Sequence, residues 1–123
     1  MKKATIIFLC MLVSLFCISA SVRTGDDKTR ETLITNAFKT TLTRAVDDAI
    51  VGYYGKRQKS FSVPDIKIKE IEETMKGGYS FLCKLEVPTY EGQHDPPYGL
   101  EKITLEIGPA GVSVLKFEHE DVP

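Results

Sequence analysis

Ile34, Phe38, Leu42, Val46, Ile50 and Tyr54 recur at intervals of four residues. A second row, Leu33, Ala37, Ala45, Ala49 and Tyr53, runs beside them and is broken only by Thr41. Residues four apart stand one above another on a helix, so two neighbouring rows make one broad apolar stripe. Lys39, Thr40, Thr43, Arg44, Asp47 and Asp48 take most of the other side. The spacing predicts a helix of roughly seven turns. Asp26 or Asp27 would cap its start, where acidic side chains suit the positive end of the helix dipole. Gly52 weakens its final turn and Gly55 stops it. A stripe this long needs a cover, and the remainder of the chain must supply it.

That remainder reads as strands. Phe61–Val63 is expected to form a short strand interrupted by Pro64, which cannot donate to a ladder. Ile66 and Ile68 alternate with Lys67 and Lys69, and residues 70–74 either continue as a bulged strand or end it. Gly77-Gly78 supplies the positive-φ positions of a hairpin turn. Tyr79, Phe81, Cys83, Leu85 and Val87 then share one face of the clearest strand. After an irregular connection at 89–99, Ile103, Leu105 and Ile107 alternate with Thr104 and Glu106, and Gly108-Pro109-Ala110-Gly111 makes another turn. The last strand, 112–117, carries apolar residues at both parities, which predicts a central or two-sided position. The expected fold class is α+β. One long N-terminal amphipathic helix packs on an about four-stranded antiparallel meander, of cystatin-like or nuclear-transport-factor-like shape. Such a shape carries no function with it.

The first residues bear on destination. Lys2 and Lys3 precede an uncharged apolar run at 6–18, and Ser19, Ala20 and Ser21 are small enough for a signal peptidase. Residues 1–21 are read as a signal peptide, 22–28 as a flexible linker and 29–123 as a single α+β domain. The uncharged stretch 4–22 only just reaches the ~20 apolar residues of a membrane span, so membrane attachment is expected only if the segment stays uncleaved. Localisation is then secreted or extracytoplasmic, in the cell envelope. Cys10 and Cys17 leave with the leader, and Cys83 alone cannot form a disulfide within its chain. No cation shares its strand face to activate the thiol, so Cys83 reads as a small buried hydrophobe.

Losing Lys2 and Lys3 takes the formal charge from −1 to −3. The basic residues are scattered, with no face on which aromatics interleave with them. Nucleic-acid binding draws most of its affinity from neutralised phosphates and is therefore not expected.

Chemistry-bearing residues concentrate at 89–99, which reads Thr-Tyr-Glu-Gly-Gln-His-Asp-Pro-Pro-Tyr-Gly. In a meander, the strand entering this connection runs up and the next runs down. The last strand then runs up again, so His119, the connection and the helix end at Tyr53-Tyr54-Gly55 share one pole. Tyr53-Tyr54-Gly55 after an amphipathic helix, together with Glu-Gly-Gln-His-Asp-Pro-Pro-Tyr-Gly at 91–99, resembles a family of small exported proteins of Gram-positive spore-forming bacteria. That family is known only as a domain of unknown function. The likeness covers 33–119, and the chain departs from the family pattern in having no proline between Leu33 and Gly55. The resemblance implies export and a small single domain, and it supplies no activity.

Three kinds of chemistry compete at this pole. His94, Asp95 and His119 are acceptable ligands for a divalent metal, with Glu118, Glu91 or Asp121 as further donors, but no ligand spacing is diagnostic. A small hydrolase could use a histidine beside a carboxylate as base, yet no nucleophile motif accompanies it, and an enzyme is not indicated. Recognition fits best. Tyr53, Tyr54, Tyr90, His94, Asp95, Pro96, Pro97 and Tyr98 would form a binding surface, because tyrosines give contact area at low entropic cost and prolines stiffen the chain. The bland alternative is that Tyr53 and Tyr54 close the core. The expected partner is an unknown protein or cell-envelope component, no cofactor is called for, and the oligomeric state is left open.

Overall fold

The computed structural model describes residues 27–123. The leader at 1–21 and most of the linker at 22–28 lie outside the described residues. Helix α1 is assigned to Lys2–Tyr54, and residues 27 and 28 already lie inside it, so Asp27 caps nothing. The chain divides into two compact units, Met1–Ala37 and Phe38–Pro123. In the described part of the first unit, Leu33 and Ile34 are exposed. Among the described residues no helix is long and apolar enough to cross a membrane.

The second unit holds the fold's core. Four strands, β1 (Lys67–Glu73), β2 (Phe81–Glu91), β3 (Asp95–Gly108) and β4 (Gly111–Val122), form an antiparallel meander in the order β1-β2-β3-β4. Leu42, Val46 and Ile50 of α1 pack against it, meeting Ile66, Cys83, Leu85, Val87, Ile103 and Leu105 in one buried cluster. The i, i+4 row thus buries its 38–54 portion, with Phe38 and Tyr54 partly covered at its ends. The α+β reading holds: one helix packs on a four-stranded open antiparallel sheet.

Several local expectations are corrected. Phe61–Val63 is not a strand. Pro64 sits instead in a 3-10 turn, Val63–Asp65, which the Nζ of Lys39 fastens by donating to the Pro64 carbonyl at 3.2 Å. Tyr79 lies outside β2 and is exposed. The long connection at 89–99 is mostly strand: Thr89 pairs with Gly99 and Glu91 with Asp95, leaving Gly92, Gln93 and His94 as the turn.

The last strand is not central. β4 is an edge, and a bulge explains its two parities. Leu105 pairs with Val114 but Thr104 pairs with Lys116, so Leu115 is an extra residue. Before the bulge Val112 and Val114 face the helix side; after it Phe117 and His119 do. A period-2 pattern shifts phase when one residue is inserted. The same device acts in β1, where Lys69 is extra between the Ile68–Leu85 and Glu70–Lys84 pairs. The bulged-strand reading of 70–74 is therefore the one that applies, up to Glu73.

Candidate functional site

The pole inferred from connectivity exists, and its centre is a residue the sequence reading passed over. Glu101 is completely buried. It follows the inward parity of Ile103, Leu105 and Ile107 two residues further back, which puts a carboxylate on the helix-facing side of β3. Oε1 accepts from the Tyr54 hydroxyl and from the Thr89 hydroxyl, each at 2.8 Å. Oε2 lies 2.9 Å from Nδ1 of His119, its register partner on β4. A buried carboxylate is tolerated only when such partners replace its water. Both carboxyl oxygens are thus engaged by neighbouring side chains.

His119 is held at both nitrogens. Nε2 meets Oδ1 of Asp121 at 2.9 Å, while Nδ1 faces Glu101 and also lies 3.0 Å from the Tyr54 hydroxyl. With carboxylates on both sides, the protonated ring can donate at both nitrogens. Asp121 first, and Glu101 next, raise its pKa above the ordinary 6.5, against the opposing pull of burial. Burial and the Glu101 carboxylate together push the Tyr54 phenol far above its usual value, so it stays a donor. Gly99 completes the cluster, because a Cβ there would stand 2.7 Å from the Thr89 hydroxyl and 2.9 Å from Glu101 Oε1. Among the described residues no buried side-chain nitrogen or oxygen lacks a partner.

A pH dependence follows from this geometry. A histidine whose folded pKa is raised stabilises the fold in full below its ordinary value near 6.5. That contribution is lost as pH rises through the raised value. The thermal midpoint of the protein should therefore fall as pH rises from about 6.5 through the raised value, and His119→Gln should flatten that fall. An identical slope in the variant, measured by circular dichroism from pH 6 to pH 9, would remove His119 from the account.

Around this centre the aromatic residues divide. Tyr53 stacks on Phe117 at 4.7 Å between ring centroids and lies 5.7 Å from the His119 ring, with its own side chain half exposed. Tyr54 turns inward, edge-on to His119 at 5.8 Å. The bland reading therefore applies to Tyr54, which closes the core, and not to Tyr53.

The other predicted residues form a separate group at the β2–β3 turn. His94 adopts a left-handed backbone, φ 69°, a region histidine visits more readily than most residues. Its ring stacks on Tyr90 at 4.0 Å, and its carbonyl accepts from the Tyr98 hydroxyl at 3.0 Å. Tyr90 in turn pairs through its backbone with Ser60 and lies 3.2 Å from the Ser62 hydroxyl. Lys59 binds the turn to the rest of the unit. Its nearly buried Nζ donates to the Pro97 carbonyl at 2.5 Å, lies 3.5 Å from Glu91, and sits 5.9 Å from the centre of the Tyr54 ring. Residues 92–98, including Asp95, Pro96, Pro97 and Tyr98, nevertheless remain exposed, and the Pro96–Pro97 bond is cis.

His94 and His119 are thus engaged by different partners, with five residues of β3 between Asp95 and Glu101. Among the described residues no three or more of His, Cys, Asp and Glu stand together as a metal-holding group. His94, Asp95 and His119 do not assemble into the ligand set considered from sequence. Both ring nitrogens of His119 face carboxylates, Glu101 on the buried side and the exposed Asp121 on the other. Elsewhere an open groove of about 580 Å³ runs between α1 and the connector, crossed by the Arg57–Asp47 ion pair at 2.8 Å.

Comparison with known proteins adds one match. A family model described as "Protein of unknown function (DUF3888)" covers residues 34–121. No curated protein and no solved structure matches the chain.

Proposed function

The chain belongs to this family of unknown function, and we propose that it is an exported recognition domain. Its β2–β3 hairpin tip binds a protein or another component of the cell envelope. One observation carries the reading: residues 92–98 are exposed without interruption, yet the turn is fastened by contacts that leave its outer surface free. A tip of this kind loses little freedom on binding, and the exposed Tyr98 ring beside Pro96 and Pro97 offers an apolar anchor. Export rests on Lys2-Lys3, the apolar run and the small residues at 19–21.

The test is partner capture from envelope extract, using protein recovered outside the cell and checked by N-terminal sequencing. Processed material should begin at Ser21 or Val22. Tyr98→Ala should weaken capture by ~2 kcal/mol or more, the cost of truncating an aromatic anchor. Tyr98→Phe separates contact from stiffening, because it keeps the ring and deletes only the bond to the His94 carbonyl. Undiminished capture by Tyr98→Ala would rule out the tip as the binding surface.

A further inference from the structure

The two edges of the sheet are not equivalent. β1 has seven residues, is charged everywhere except Ile68 and Ile71, and is bulged at Lys69. Shortness and dense charge keep an edge from pairing with another chain; both edges carry a bulge, so the bulge does not distinguish them. β4 has twelve residues and no proline, and Val112, Val114, Leu115 and Val122 are 37–55% exposed along it. On its helix-facing side the half-exposed Tyr53 ring stacks on Phe117 and extends the apolar surface.

Charge selects the occupant of this edge. Lys116 and Glu118 project from the same face, 3.0 Å apart. When a strand pairs with its own copy about a twofold axis, residues equidistant from the axis face each other, and the alternation of faces requires the axis to pass through a residue. An axis through Lys116 or Glu118 sets that residue against its own copy, like charge to like. An axis through His119 sets Glu118 against Glu120. An axis through Phe117 sets Lys116 against Glu118 twice, with no like charges opposed, and brings the two Phe117 side chains together. Opposite charges directly across an antiparallel pair attract, and like charges repel.

We propose that β4 is a self-recognition edge, through which two copies of this chain pair antiparallel about Phe117, Lys116 of each facing Glu118 of the other. The Leu115 bulge confines the new ladder to residues 115–119 of each copy, so association depends on concentration. The result is one continuous sheet of eight strands with a hairpin tip at each of its opposite ends. On the reading of the tip as a binding surface, the pair is a two-ended connector.

Sedimentation equilibrium on the full chain tests the register. Wild-type protein should dimerise. Lys116→Glu alone and Glu118→Lys alone should each associate at least about tenfold more weakly, because each opposes two like-charged pairs. An equimolar mixture of the two variants should recover wild-type association, since every facing pair is again opposite in charge. Circular dichroism should show both variants folded, and Tyr98→Ala should dimerise normally, which keeps failure here distinct from failure of the tip. Wild-type protein that stays monomeric, with the edge left for a strand of another protein, would overturn the proposal. So would single variants that associate like wild type, or a mixture that does not.

Discussion

Glu101→Ala is expected to destabilise the fold by about 3–5 kcal/mol, the range for breaking a buried charge pair by removing one partner. The substitution deletes the acceptor of the Tyr54 and Thr89 hydroxyls and the buried counter-charge of His119. The Thr89 hydroxyl is left in a buried position, where an unmade bond costs more than a made one contributes. Glu101→Gln keeps the shape and one acceptor oxygen, but turns an amide toward a ring nitrogen that also donates; its loss should be intermediate. A double-mutant cycle with Tyr54→Phe gives the sharper reading. The two changes should be far from additive, because Tyr54→Phe removes one of the donors that the first change strands. Urea unfolding midpoints measure all of these. Destabilisation below ~1 kcal/mol for Glu101→Ala would place it among ordinary surface changes and contradict the network.

Cys83→Asp should not yield a folded protein. Cys83 is fully buried, pairs across the sheet with Ile71 and Leu105, and has its thiol pKa raised by desolvation alone. No cation faces it there, so a new carboxylate would have to be buried unpaired. That penalty competes with a total stability of only about 5–15 kcal/mol. Cys83→Ala loses contact without adding charge and should cost about 1 kcal/mol. The wild-type thiol should react slowly with a thiol reagent in the native state and rapidly in denaturant. Equal rates would mean that β2 opens readily at its centre, and the charge penalty would then shrink with it.

Both expectations concern one face of one sheet, yet they differ in how readable they were. Cys83 sits between Phe81 and Leu85 in uninterrupted alternation, so its burial could be read from spacing. Glu101 obeys the same parity, but its charge argued for solvent. Only the arrival of Tyr54 from the helix end, Thr89 from β2 and His119 from β4 makes burial tolerable. A signal was present in the alternation; what was missing was the set of partners, contributed by residues 12 to 47 positions away.

The apolar rows at intervals of four, the alternation through β2 and β3, and the glycine turns sufficed to specify a helix on an antiparallel meander. Strand direction alone brought the helix end, the β2–β3 connection and His119 to one pole. These properties are local periodicities and counts of reversals, and a linear chain records them directly. The bulges at Lys69 and Leu115, the edge position of β4, the burial of Lys59 and Glu101, and the separation of His94 from His119 became definite only when the strands met. Each depends on register or on a partner distant in sequence. A one-residue shift in pairing changes which face every later side chain occupies, while leaving the composition and its periods almost untouched.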